Sequence, residues 1–154
     1  MKKLSLTTFL LFASLAFSYS QTKTINISQT TIGRMITYYQ KSIDLDHGDT
    51  SFYVRFMYRN NTDLGKITHT EIISFDEQKA LSVLIKDLES AITEFGSKTN
   101  LSWVREDYAI NLYENIGLLY LFEKPTEGKG YVAFNKKNVI KLKSWLETIN
   151  LGKG

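Results

Sequence analysis

The chain contains no cysteine, one proline and two histidines among its 154 residues. Without thiols there is no disulfide staple, no thiolate zinc site, no thiol nucleophile and no cysteine on which a lipoprotein anchor could be built. A fold of this sequence is therefore held by packing and hydrogen bonds alone. Pro125 and the scattered glycines leave no linker-like stretch, no low-complexity run and no block of like charge, so composition marks no internal domain boundary. The motifs of common catalytic centres are missing as well. There is no Gly-x-Ser-x-Gly elbow, no His-Glu-x-x-His helix and no phosphate-cradling glycine loop, and Glu106 and Asp107 would point to opposite faces of a strand. The sequence thus assigns no catalytic residue and calls for no cofactor.

No long apolar run is present beyond the N-terminus. There, Lys2 and Lys3 precede the short apolar stretch from Thr8 to Phe17, and Ser18 and Ser20 flank Tyr19 just before Gln21. A charged start, a short apolar centre and a small-residue exit are the parts of a secretory signal peptide. Residues 1–20 are read as that signal and Gln21 as the mature N-terminus. The run is shorter than the roughly 20 apolar residues a spanning helix needs, so no membrane span is expected after signal removal. The expected location is periplasmic or extracellular. Lys2 and Lys3 leave with the signal and no acidic residue does, so 17 basic side chains remain against 16 acidic ones, a net charge of +1. That balance lacks the electrostatic footprint of a nucleic-acid binder, which makes nucleic acid an unexpected partner.

Residues 21–154 fit one domain of ordinary size. From Phe52 the chain alternates, with Phe52, Val54, Phe56 and Tyr58 on one face and Tyr53, Arg55, Met57 and Arg59 on the other, the period of a half-buried strand. Asn60, Asn61, Asp63 and Gly65 make a turn, and Ile67 to Phe75 is the returning strand. At Asp76 the period becomes helical. Asp76 is the expected N-cap, Leu81, Leu84, Ile85, Leu88, Ile92 and Phe95 recur at helical spacing, and Gly96 is the stop. Strands are then expected over 101–104, 108–113, 117–122 and 130–134. A second helix follows the cap Asn135, with Val139, Leu142, Trp145, Leu146 and Ile149 as its buried stripe.

The pattern predicts an α+β fold of antiparallel sheet and two amphipathic helices. Ile73-Ser74-Phe75-Asp76 and Val132-Ala133-Phe134-Asn135 open the two helices in the same way, which suggests a strands-then-helix unit used twice, over about 35–96 and 101–152. That arrangement resembles, in architecture alone, the pseudo-repeated fold of the Whirly and PUR single-strand nucleic-acid binders. No motif of either family stands in this chain, so the resemblance transfers no residue role.

Two polar clusters admit a metal reading. Asp44, Asp46 and Asp49 gather around His47 and Gly48, but the glycine falls at the fifth position and Arg55 at the twelfth, which does not fit a calcium loop; a connecting turn is expected. His69 and Glu71 share one strand face without a visible third ligand, so no metal site is assigned. The aromatic content offers more. Tyrosines on or beside the strands lie near arginines, a combination that stacks sugars or bases. The face carrying Tyr53, Arg55 and Arg59 is the best candidate ligand site. The function expected is that of an exported non-enzymatic domain that binds a protein or glycan partner in the cell envelope, through this face or a strand edge. A small envelope-polymer hydrolase built on distant carboxylates is the alternative, single-strand nucleic-acid binding follows by architecture alone, and oligomeric state leaves no signal. The intact mass of the exported protein is expected to match a chain beginning at Gln21; a mass that retains Met1 to Ser20 would contradict the signal-peptide reading.

Overall fold

The computed structural model describes residues 21–59, 70–123, 131–149 and 151. The expected signal segment 1–20, the expected turns over Asn60 to Gly65 and around Pro125, His69, and Gly152 lie outside them. Among the described residues eight strands and two helices follow in the order β1 (Thr22–Ile32), β2 (Met35–Asp44), β3 (Thr50–Arg59), β4 (Thr70–Phe75), α1 (Gln78–Glu94), β5 (Leu101–Val104), β6 (Tyr108–Tyr113), β7 (Leu118–Glu123), β8 (Tyr131–Phe134) and α2 (Lys136–Glu147). The strands form two antiparallel four-stranded meanders, β1-β2-β3-β4 and β5-β6-β7-β8. The fold is α+β, four strands then a helix, twice over.

Antiparallel pairing places partners on the same face, so register decides what each sheet buries. In the first sheet Met35 lies opposite Tyr58, Thr37 opposite Phe56 and Tyr39 opposite Val54, while Val54 and Phe56 meet Phe75 and Ile73 on the other side. All of these are buried. In the second sheet Ile110 pairs with Leu121 and Leu112 with Leu119, and Leu119 and Leu121 meet Phe134 and Val132. These too are buried. Ile73 and Phe75 thus hold the same place in β4 that Val132 and Phe134 hold in β8, which gives the paired helix-opening motifs a structural counterpart.

The helices complete one core. Leu81, Leu84, Leu88 and Ala91 from α1 join Val139, Leu142 and Leu146 from α2 and the inner faces of both sheets in a single apolar cluster. The sheets meet where β3 contacts β8 and β4 contacts β7. Phe75 and Tyr108 pack edge to face there at 5.7 Å, and the backbone N–H of Glu123 donates to the Tyr58 hydroxyl at 3.2 Å. Polar anchors cross between the halves as well. Lys141 Nζ on α2 donates to the Thr31 carbonyl at 3.0 Å and Trp145 Nε1 to Ser28 Oγ at 3.4 Å, which pins the second helix to β1. Gly33 sits in the β1–β2 turn at φ 61°, a conformation that favours glycine, and an added Cβ would lie 3.1 Å from Asn138 Nδ2 of α2, whose side chain would have to shift.

Several sequence expectations change in detail. The first meander opens at Thr22 rather than near residue 35, because β1 carries a weak signal: it is threonine-rich, exposed along most of its length and interrupted by a bulge between Asn26 and Ser28. Asp76 does not cap α1. The N-cap is Glu77, in extended conformation with no side-chain cap bond, and the first intrahelical bond runs from Leu81 N to Glu77 O at 3.1 Å. Asn135 does cap α2, accepting from Asn138 N at 2.9 Å. Ile85, Ile92, Phe95 and Trp145 are half-buried against the core rather than within it. Glu106 and Asp107 lie in the bend between β5 and β6, not on a strand. Asp44 to Asp49 form the expected turn: Asp44 Oδ1 accepts from Asp46 N at 2.9 Å, and Gly48 adopts φ 75°.

Core and surface positions on α1 should separate sharply. Leu88→Ala is expected to cost about 2–5 kcal/mol, and Leu146→Ala a similar amount, while exposed Lys86→Ala stays within about 0.5 kcal/mol. Denaturant melts with equal losses at Leu88 and Lys86 would show a wrong helical register.

Candidate functional site

With their inner faces committed to the core, both sheets turn an outer face to solvent. On the first sheet the outward rows follow from the pairing. Ile36, Met57 and Ile72 form one, Gln29, Tyr38, Arg55 and Ser74 the next, and Asn26, Gln40 and Tyr53 a third. Tyr53 and Arg55 therefore lie on one face of β3, as the alternation predicts, with buried Val54 and Phe56 on the other. Neither is fully exposed: Tyr38, Tyr53, Arg55 and Met57 are all half-buried. The cause is visible in the contacts. The Arg55 guanidinium carbon sits 4.5 Å from the centre of the Tyr53 ring, a cation–π stack that flattens both side chains on the sheet. Beside them Gln40 Nε2 donates to Asn26 Oδ1 at 2.6 Å, and the Tyr53 hydroxyl lies 3.4 Å from Thr24 Oγ1. Arg55 Nε and Gln40 Oε1 are shielded from solvent without a hydrogen-bond partner among the described residues. Arg59 ends β3, and its side chain lies outside the described residues, so the structure joins two of the three candidate site residues.

The outer face of the second sheet was not singled out by sequence reasoning. Pairing puts Asn111 opposite Tyr120, Tyr120 opposite Ala133, Ala109 opposite Phe122, and Phe122 opposite Tyr131. Tyr113 closes on Tyr120 edge to face at 5.1 Å, Tyr131 reaches Tyr120 at 4.7 Å, and Phe122 lies 5.7 Å from Tyr131 and 6.4 Å from Tyr120. All of these rings are half-buried. Mutual shielding is the main reason the Tyr120 phenol is pushed above its ordinary range, followed by the neighbouring phenols of Tyr131 and Tyr113. The alternation that builds this cluster is legible in β7, where Leu119 and Leu121 point inward and Tyr120 and Phe122 outward.

A third cluster holds the fold together. Asp87 of α1 is only 4% exposed, and it accepts from Arg105 Nε at 2.8 Å, Arg105 Nη2 at 2.6 Å and the Tyr108 hydroxyl at 2.8 Å. Among the described residues the donors aimed at this carboxylate come from the second half of the chain. The bidentate bond to Asp87 raises the Arg105 guanidinium further above its ordinary range, and burial, then the bond to Asp87, does the same for the Tyr108 phenol. Arg105 also borders a cleft of about 390 Å³, around which the exposed carboxylates Asp76 and Glu77 meet Glu106 and Asp107. In the turn after β2, His47 Nδ1 lies 3.1 Å from Asp44 Oδ2 on the surface, a local contact that closes the turn. Glu71 lies on β4, with its side chain outside the described residues.

No protein-family model matches the chain, and no curated protein matches it. No helix among the described residues is long and apolar enough to cross a membrane.

The Tyr108 proton gives the buried cluster a pH signature. The folded protein retains that proton where the unfolded chain releases it, near the ordinary value of 10.0, so this stabilisation is fully present below about pH 10 and lost as pH rises beyond it. Thermal melts are expected to fall in that alkaline range, and to fall less steeply in Tyr108→Phe. Equal slopes in the two proteins would place the alkaline loss elsewhere.

Proposed function

We propose that the protein is an exported, non-enzymatic binding module of the cell envelope, and that the outer face of its first sheet docks a protein partner. The observation that carries this reading is the Arg55–Tyr53 stack, at 4.5 Å, next to two solvent-shielded polar atoms, Arg55 Nε and Gln40 Oε1, that have no partner among the described residues. Arginine, tyrosine and methionine are enriched at the centres of protein interfaces, where a preorganised guanidinium loses little entropy on binding. Ile72, 40% exposed, and half-buried Ile36 and Met57 extend the same face with apolar surface that the core does not use. The near-neutral balance of residues 21–154 argues against nucleic acid as the partner.

The cleft beside Arg105 supports a second reading, an envelope-polymer hydrolase, because it brings together carboxylates distant in sequence. All four of those carboxylates are exposed, whereas the acid that protonates a leaving group in such enzymes is set in a shielded pocket. Binding is therefore the better supported function.

The test pairs stability with retention of a partner from envelope extract. Tyr53→Ala and Arg55→Ala are expected to keep stability within about 1 kcal/mol of the parent while losing most of the retained partner, since such anchors are worth about 2 kcal/mol or more. Phe56→Ala, in the core, is expected to cost about 3–5 kcal/mol. Full retention by both surface variants would withdraw the site. Turnover of envelope polymers, abolished by Glu106→Gln or Asp107→Asn, would favour the hydrolase instead.

A further inference from the structure

We propose that the outer face of the second sheet is a stacking platform for a neutral polysaccharide. Four aromatic rings, Tyr113, Tyr120, Phe122 and Tyr131, occupy outward positions on β6, β7 and β8, where the core makes no use of them. Alanines flank two of them. Ala133 lies opposite Tyr120 and Ala109 opposite Phe122, so no long side chain covers those two rings from these positions.

The chemistry of the face selects the ligand. No outward residue of β5 to β8 carries a charge, and the polar groups present are phenol hydroxyls, the Asn111 amide and the Ser102 hydroxyl, which donates to Asn111 Oδ1 at 2.7 Å. A nucleic acid or an anionic polymer needs cations opposite its phosphates or carboxylates, and the described outward residues of this face supply none. A neutral glycan needs what is here. The apolar C–H face of a pyranose stacks on an aromatic ring, and its hydroxyls take hydrogen bonds from neutral donors and acceptors at the ring edges. With neighbouring centroids 4.7 to 6.4 Å apart, the four rings form one continuous patch across β6, β7 and β8, which a sugar chain covers more fully than a single sugar. This extends the binding-module reading to a second surface, and the two surfaces fail separately.

The alternative for the rings is purely structural, since cross-strand aromatic pairs also stabilise a sheet. Native gels cast with hydroxyethylcellulose, dextran, galactomannan or soluble starch separate the two roles. The parent protein is expected to be retarded in at least one of these, and about 1 M salt should leave the retardation unchanged because no charge takes part. Tyr131→Ala should weaken retention at least about fivefold, the lower bound for losing one stacking ring. Ala133→Glu keeps all four rings but lays a charged chain beside Tyr120; it should abolish retention with the far-ultraviolet circular dichroism unchanged, whatever happens to the folding of Tyr131→Ala. Tyr53→Ala, on the other sheet, should bind the glycan like the parent. The proposal is overturned if none of the four polymers retards the parent, or if folded Ala133→Glu is retained as the parent is. Stronger binding to polygalacturonate, oligothymidine or phosphatidylcholine vesicles than to every neutral glycan would overturn it too.

Discussion

Asp87, carried on α1 after the first meander, accepts side-chain hydrogen bonds, among the described residues, from Arg105 in the β5–β6 connection and Tyr108 at the start of β6. A carboxylate buried to 4% exposure loses about 1–3 kcal/mol for each partner removed, so this bond set fixes where α1 sits relative to the other half. The second helix makes the reciprocal connection, through Lys141 and Trp145 to β1. Between the helices, Lys143 Nζ lies 2.6 Å from Glu147 and 3.8 Å from Glu89, a surface bridge that adds little energy but marks the seam along which the helices pack. With no disulfide available, the exchange of helix contacts between halves is what makes two short meanders one body.

That exchange shapes the two proposed binding surfaces. Because both helices and both inner sheet faces are consumed in one core, the outer faces are left as broad, twisted platforms on rigid strands. Side chains held there lose little freedom on binding, which is how a flat surface gains affinity without a deep pocket. The two platforms differ in chemistry. The first carries a guanidinium stacked on a phenol among apolar residues, suited to a protein surface; the second carries neutral rings beside an amide and a hydroxyl, suited to a sugar chain.

Much of this was legible in the sequence, for physical reasons that also explain the gaps. Strand alternation in β3 and helical spacing in α1 and α2 are strong because each element has one apolar side, so the assignments of Phe56, Leu88 and Leu146 to the core held. The strand β1 was not seen, because a strand at a sheet edge with polar residues on both sides carries no period to read. Asp87 was hidden for the opposite reason: it stands at a stripe position between Leu84 and Leu88, where a single sequence shows an acid out of place but not the Arg105 and Tyr108 that satisfy it. The first candidate site followed from alternation along one strand, whereas the second needed the pairing of β6, β7 and β8 to bring Tyr113, Tyr120 and Tyr131 together. The cap at Asp76 failed because the chain stays extended through Glu77 before the helix begins.

The interlocked core makes one quantity decisive. Native-state amide hydrogen exchange, followed residue by residue in β3 and α1 and in β7 and α2, reports whether the halves open together or apart. A common opening free energy for the most protected amides of both halves, equal to the global unfolding free energy from denaturant melts, is the result expected of helices exchanged across a single core. Two distinct plateaus, with one meander and its helix opening while the other stays protected, would contradict it.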